Sequence, residues 1–168
     1  MRVLGIDPGL AIVGWGVVDR INGMTFAPVA YGSINTPAKT EIPYRLEMIY
    51  KNMNHIIEKY KPDEIAIEQL FFNTNQTTAI AVAEARGVIL LAAEQHGLSV
   101  AEYTPLQVKQ AVVGYGLAEK HQVIAMVTAL LKLPKPPKPD DTADAIAIAL
   151  CHGYSASSLL RRAKKQTE

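Results

Sequence analysis

Asp7, Glu68 and the cluster Asp140, Asp141 and Asp144 are the residues of this chain best suited to chemistry. Each has an ordinary explanation. An aspartate before Pro8-Gly9 suits an Asx-type turn, a glutamate closing "EIAIE" suits a solvated strand edge, and "DDTAD" puts acids in a first helical turn, where capping and the macrodipole favour them. Together they fit those explanations poorly. Asp7 follows "VLGI" and Glu68 follows "IAI", two runs with the character of strands buried on both faces, and open α/β sheets build their sites at strand ends. On a helix, Asp140 or Asp141 can share a face with Asp144, at four and three residues' separation. Carboxylates gathered in this way raise one another's pKa unless a cation lies between them. An all-oxygen set without a histidine or cysteine cluster suits Mg²⁺ or Mn²⁺ and argues against zinc. Two such ions roughly 4 Å apart activate a water and stabilise the leaving oxygen of an in-line phosphoryl transfer.

The elements that must hold these acids are legible from local pattern. "RVLGI" and "AIVGWGVVD" read as two strands of a hairpin punctuated by Pro8-Gly9, with "FAPVAYGSIN" as a third strand. Leu46, Ile49, Tyr50, Met53, Ile56, Ile57 and Tyr60 recur at helical spacing from about Pro43, and Pro62 closes that segment. "EIAIE" is a short strand, followed by a polar loop "FFNTNQTT" and a helix to about His96 with Gly97 as its cap. "LSVAEY" is the fifth strand. Thr104 and Pro105 form a helix start, "GYGLAEK" breaks that helix, and "HQVIAMVTALLKL" makes the next. "PKPPKP" is a stiff connector to a last helix running from near Asp140 to about Gly153. The order predicts an α/β fold with an antiparallel start and parallel additions.

The 168 residues suit one domain, and the composition, about half hydrophobic and a fifth charged, is that of a globular chain. The apolar runs are too short to cross a bilayer, and no secretory signal pattern opens the chain. The lone cysteine, Cys151, sits in the apolar run "DAIAIALCHGY" and reads as a core residue of a protein in a reducing cytoplasm. A net charge of +1 hides a basic remainder once acids that bind cations are set aside, so a polyanionic partner is not excluded.

"GIDPGL" with "GWGVV", then "AIEQLFFN", "ARGVI", "VKQAVVGYGLAEKHQV" and "DDTADAIAIA", in this order and spacing, closely resemble the bacterial RuvC family of Holliday junction resolvases, to about Gly153. The resemblance implies a ribonuclease H-like fold, with a mixed five-stranded sheet flanked by helices. The nuclease domain is expected at residues 1–154, and the basic stretch 155–168, outside the resemblance, is expected to be a flexible tail. The resemblance implies a homodimer that nicks two opposed strands of a four-way DNA junction, in recombination and repair. Mg²⁺ is the implied cofactor, two ions per subunit with Mn²⁺ as a substitute, and a RuvA–RuvB branch-migration complex the implied partner. Carried over by position, Asp7, Glu68, Asp141 and Asp144 are the catalytic, metal-binding acids, and Asp140 competes with Asp141 for the third place. The resemblance also implies that Phe71 stacks on a base near the crossover and that Lys109 and Lys120 contact DNA.

The remaining candidates are structural. Phe72 is expected to plug the core, and Arg86, which could also bind DNA, is expected to pair with Glu84 or a partner subunit; the four histidines show no ligand spacing. Three other functions compete. "GIDPG" also suits the phosphate loop of actin-like sugar kinases, but the chain has no room for their second lobe. A junction-binding scaffold would not need four acids. A ribonuclease H-like nuclease acting on structured RNA precursors stays open as the alternative.

Overall fold

The computed structural model describes residues 1–69 and 76–165, with only the backbone described for 76–78 and 156–165. Its strands are β1 (Arg2–Asp7), β2 (Ile12–Asn22), β3 (Thr25–Asn35), β4 (Glu64–Glu68) and β5 (Val100–Tyr103). Its helices are α1 (Ile42–Tyr60), α2 (Gln76–Gln95), α3 (Pro105–Val113), α4 (Lys120–Leu130) and α5 (Asp140–Lys165). The sheet has the order β3-β2-β1-β4-β5. β1, β2 and β3 pair antiparallel, while β4 joins β1 and β5 joins β4 in parallel, which is the mixed sheet expected.

Period-two alternation sorts the strand residues between two cores. Leu4, Ile6, Ile65 and Ile67 pack with Ile49, Met53 and Ile57 of α1 and with Ala85 and Ile89 of α2. Val3 and Ala66 point the other way, into a layer built by Val108 and Val112 of α3, Val123 and Val127 of α4, and the apolar run of α5. Burying large aliphatic side chains on both faces contributes about 1.5–3 kcal/mol each and explains why β1 and β4 read as unbroken apolar runs.

The sheet lies close to α5 because it presents glycine there. A Cβ on Gly5 would stand 2.1 Å from the Ala145 carbonyl oxygen, and one on Gly14 would stand 1.9 Å from that of Asp141. Thr142, fully buried, ties the same helix start to β3 by donating its hydroxyl to the Gly32 carbonyl at 3.1 Å.

Helix boundaries follow local signals with two exceptions. The Thr104 hydroxyl accepts from the Gln107 N–H at 3.1 Å and the Gln107 side chain accepts from the Thr104 N–H at 2.9 Å, so the predicted start of α3 is a full capping box. Gly97 takes a positive φ of 66° and ends α2 as expected. The first exception is α2 itself, which begins at Gln76, inside the stretch read as a loop. The second is α5, which does not stop near Gly153 but continues to Lys165. Gly153 serves packing instead, since a Cβ there would meet the Phe26 ring at 2.2 Å.

Candidate active site

Asp7 ends β1 and Glu68 ends β4, and the parallel register that sets Ile6 beside Ile67 brings the two acids to one end of the sheet. Alternation does the rest. Gly5 faces α5, so Asp7, two residues on, faces it too; Ala66 lies in the α5 layer, so Glu68 does as well. Opposite them, the first turns of α5 carry Asp141 and Asp144, both half-buried, while Asp140 is exposed.

The electrostatics bind these acids into one group. Burial, then the charges of Glu68 and Asp144, a hydrogen bond with Glu68 and the charge of Asp141 push the Asp7 carboxyl up to about 8. Glu68 is raised by burial and by Asp144, against the opposing pull of its hydrogen bond with Asp7 and of the Lys120 charge. Asp144 is raised mainly by burial, with Lys120 pulling the other way. It is Asp141 rather than Asp140 whose charge reaches Asp7. Asp140 instead lies 3.9 Å from the Lys120 Nζ, which makes a closer pair with Asp144 at 2.9 Å.

The donor set is one that a hard divalent cation would relieve: carboxylate oxygens, partly desolvated and mutually repelling. Among the described residues no three acid, histidine or cysteine side chains close on one point as a ready cage. Asp7 and Glu68 hydrogen-bond to each other, and Asp144 pairs with Lys120 at 2.9 Å.

Lys109 and Lys120, expected on the DNA side, line one cleft of about 220 Å³ together with Glu68 and Asp144. Pro105 and Val108 of the capped α3 form another part of its lining. Phe71 and Phe72 fall outside the described residues. Arg86 is structural, as expected, but with a different partner: it pairs with Glu102 of β5 at 2.6 Å and not with Glu84. Its neighbour along the α2 face is a strand residue that no helical spacing reveals. Cys151 is 2 % exposed and burial raises its thiol to about 11, which excludes a reactive thiolate. His152 is not the isolated histidine its spacing suggested: it bridges the Tyr103 hydroxyl, at 2.8 Å, and the Glu64 carboxylate.

A family model described as crossover junction endodeoxyribonuclease RuvC matches residues 3–152. The chain belongs to the RuvC family. The RuvC of Brevibacillus brevis is 58% identical over 152 residues, covering 90% of this chain and 91% of its own. That of Desulfitobacterium hafniense is 56% identical over 161 residues, covering 96% and 97%. Among solved structures, T. thermophilus RuvC in complex with Holliday junction substrate matches with a TM-score of 0.90 at 35% identity, over 94% of this chain and 96% of that one. A yeast mitochondrial Holliday junction resolvase, at 15% identity and a TM-score of 0.68, shares the fold. The chain is thus a nuclease of the RuvC family with the ribonuclease H-like resolvase fold, and the RNA-directed alternative finds no support among these relatives. RuvC nucleases depend on divalent metal. Among the described residues no helix is long and apolar enough to cross a membrane.

Proposed function

We propose that this chain resolves Holliday junctions by hydrolysing one phosphodiester in each of two opposed strands, with Asp7, Glu68, Asp141 and Asp144 as its catalytic acids. The observation that carries this is the convergence of two strand ends and one helix start on a single electrostatic group. These acids would hold two Mg²⁺ per subunit, with Mn²⁺ as a substitute; such a pair, when bound, activates the attacking water and stabilises the leaving oxygen. The remaining work falls to this chain's own groups. The strands hold Asp7 and Glu68 on a rigid edge, and the glycine contacts fix the start of α5 against them. Lys109 and Lys120 take backbone phosphates at the rim, which positions the strand without reading sequence. The Lys120 ammonium, 2.9 Å from Asp144, offsets its charge. Phe71 stacks on a base opened near the crossover.

Cutting opposed strands is most simply done by two copies about a twofold axis, which makes a homodimer the functional unit. The exposed face of α2 suits the contact, with Ile80 and Leu91 standing free on either side of Gly87. A RuvA–RuvB complex is the partner and the cytoplasm the compartment.

A labelled four-way junction compared with a structured RNA tests the reading. Paired symmetric nicks in the junction, dependent on Mg²⁺, are expected; cleavage of the RNA alone overturns it.

A further inference from the structure

Arg45, in the first turn of α1, has no part in the site above. Its Nε donates to the Thr36 hydroxyl at 2.8 Å, and that hydroxyl donates to the Leu10 carbonyl at 2.5 Å. Thr36 is buried, and its N–H donates to the Ala11 carbonyl at 3.0 Å. The guanidinium is therefore tied to the turn that follows Asp7. Only Nε is engaged: among the described residues neither terminal nitrogen has an acceptor and no carboxylate lies within ion-pair distance. Among the described residues this half-buried cation is held in place with no anion beside it.

The same guanidinium lines a groove of about 480 Å³, floored by Gly9 to Ile12 and walled by Ala81 of α2. Asp141 lines that groove as well. No lining residue is shared with the cleft of Lys109 and Lys120, so the acid group has Asp141 facing one groove and Asp144 facing the other. A polymer that meets the acids through one phosphate and a fixed cation through another fits this layout, and a DNA strand carries such a charge on every linkage. A planar fork held by Nε leaves its two terminal amino groups free for a bidentate phosphate contact.

We propose that Arg45 is a DNA-binding residue that seats a backbone phosphate flanking the one cut, in the groove beyond Asp141, with Thr36 as its positioning residue. The strand is then held on both sides of the acids. This rests on the nuclease reading above.

The test measures binding of a labelled four-way junction, in Ca²⁺, by wild type, Arg45→Met and Thr36→Val between about 50 and 200 mM salt. Arg45→Met should weaken binding roughly tenfold and flatten the slope of log affinity against log salt by about 1 per subunit. Thr36→Val keeps the charge, so it should lose about threefold in affinity with the slope unchanged. Single methylphosphonate linkages around the cut then locate the phosphate: one neutral linkage should weaken wild type and leave Arg45→Met unaffected. An Arg45→Met protein with a lowered melting temperature but wild-type affinity and slope overturns the proposal, as does full additivity at every linkage. If Arg45→Met does not fold, Arg45→Lys replaces it in the linkage comparison, where one neutral linkage that weakens wild type more than the variant supports the proposal and equal sensitivity at every linkage overturns it. Failure of wild type to bind or nick the junction would instead fell the nuclease reading, and this proposal with it.

Discussion

Asp7 is where the energetic cost of the site concentrates. Its carboxyl is held up to about 8 by burial first and by its acidic neighbours second. A group whose folded pKa lies above its unfolded value of about 4 gives stability that is complete below pH ~4 and lost as pH rises toward ~8. The metal-free protein should therefore melt lower at pH 8 than at pH 5. Asp7→Asn removes the charge, so in chelator it should be more stable than the parent by about 1–2 kcal/mol at pH 8, with the gap closing toward pH 4. Thermal melts across that range check this, and parallel curves for the two proteins would sink it. The same variant should keep junction binding and lose Mg²⁺-dependent nicking by about a hundredfold or more. A residue far from the site has the opposite sign. Arg2 forks onto Asp19 through Nε and a terminal nitrogen, both at 2.8 Å, and the hydrogen bond holds the Asp19 carboxyl below its ordinary value. That stability is present above pH ~4 and lost as pH falls through the lower folded pKa. Both partners are about a third exposed, so Asp19→Asn should cost no more than about 1 kcal/mol near neutrality, and nothing at strongly acid pH.

At the scale of elements, the site depends on how closely α5 approaches the sheet. With a Gly14 Cβ only 1.9 Å from the Asp141 carbonyl oxygen, Gly14→Ala must lift the start of α5 and carry Asp141 and Asp144 away from Asp7. It should cost about 1–3 kcal/mol, as overpacking does, while keeping its helical circular dichroism and losing most nicking. A variant with wild-type activity would show that the approach is not needed. Thr104→Ala tests the other wall: removing the capping box of α3 should cost about 1 kcal/mol and loosen the turn that carries Lys109, raising KM more than it lowers kcat. These elements differ in how far the sequence announced them. Strand ends, the Thr104-Pro105 start and the Gly97 cap depend on neighbours in the chain, and local pattern found them. Asp7 and Glu68 stand out in the sequence because each closes an apolar strand, where a charge is costly without a partner. The glycines of "VGWG" were read only as strand residues, although glycine inside a strand often marks a close backbone approach. The contacts from Arg86 to Glu102, Arg45 to Thr36, Lys120 to Asp144 and His152 to Glu64 join separate elements across the fold, and no periodicity encodes them. The end of α5 differs from the local signal for a related reason: Gly153 reads as a stop, but the ring of Phe26, distant in sequence, requires a glycine there.

The whole molecule presents one set of acids per chain, whereas resolution needs two cuts in opposed strands. The proposed homodimer would meet through the outer face of α2. Ala85, Ile89, Ala92 and Ala93 turn inward to the core, which leaves Ile80, 61 % exposed, and Leu91, 51 % exposed, on the outer side. Eleven residues separate them, close to three helical turns, so they form one stripe with Gly87 between, where even a Cβ would meet nothing. An apolar stripe with a glycine at its centre lets two helices approach closely, and one such stripe on each copy would suit the self-complementary contact of the proposed dimer. Leu91→Glu places like charges on that axis without touching the core. Its own fold should change by less than about 1 kcal/mol. Sedimentation at micromolar concentration should then show the parent as dimer and the variant as monomer. On a plasmid carrying an extruded cruciform, the parent should give linear product from two coordinated nicks. The monomeric variant should give nicked circles, because each cut then occurs alone and the cruciform is reabsorbed after the first. Linear product from a Leu91→Glu protein that still sediments as a dimer would place the interface elsewhere. Linear product from one that sediments as a monomer would mean that paired cutting does not need the dimer.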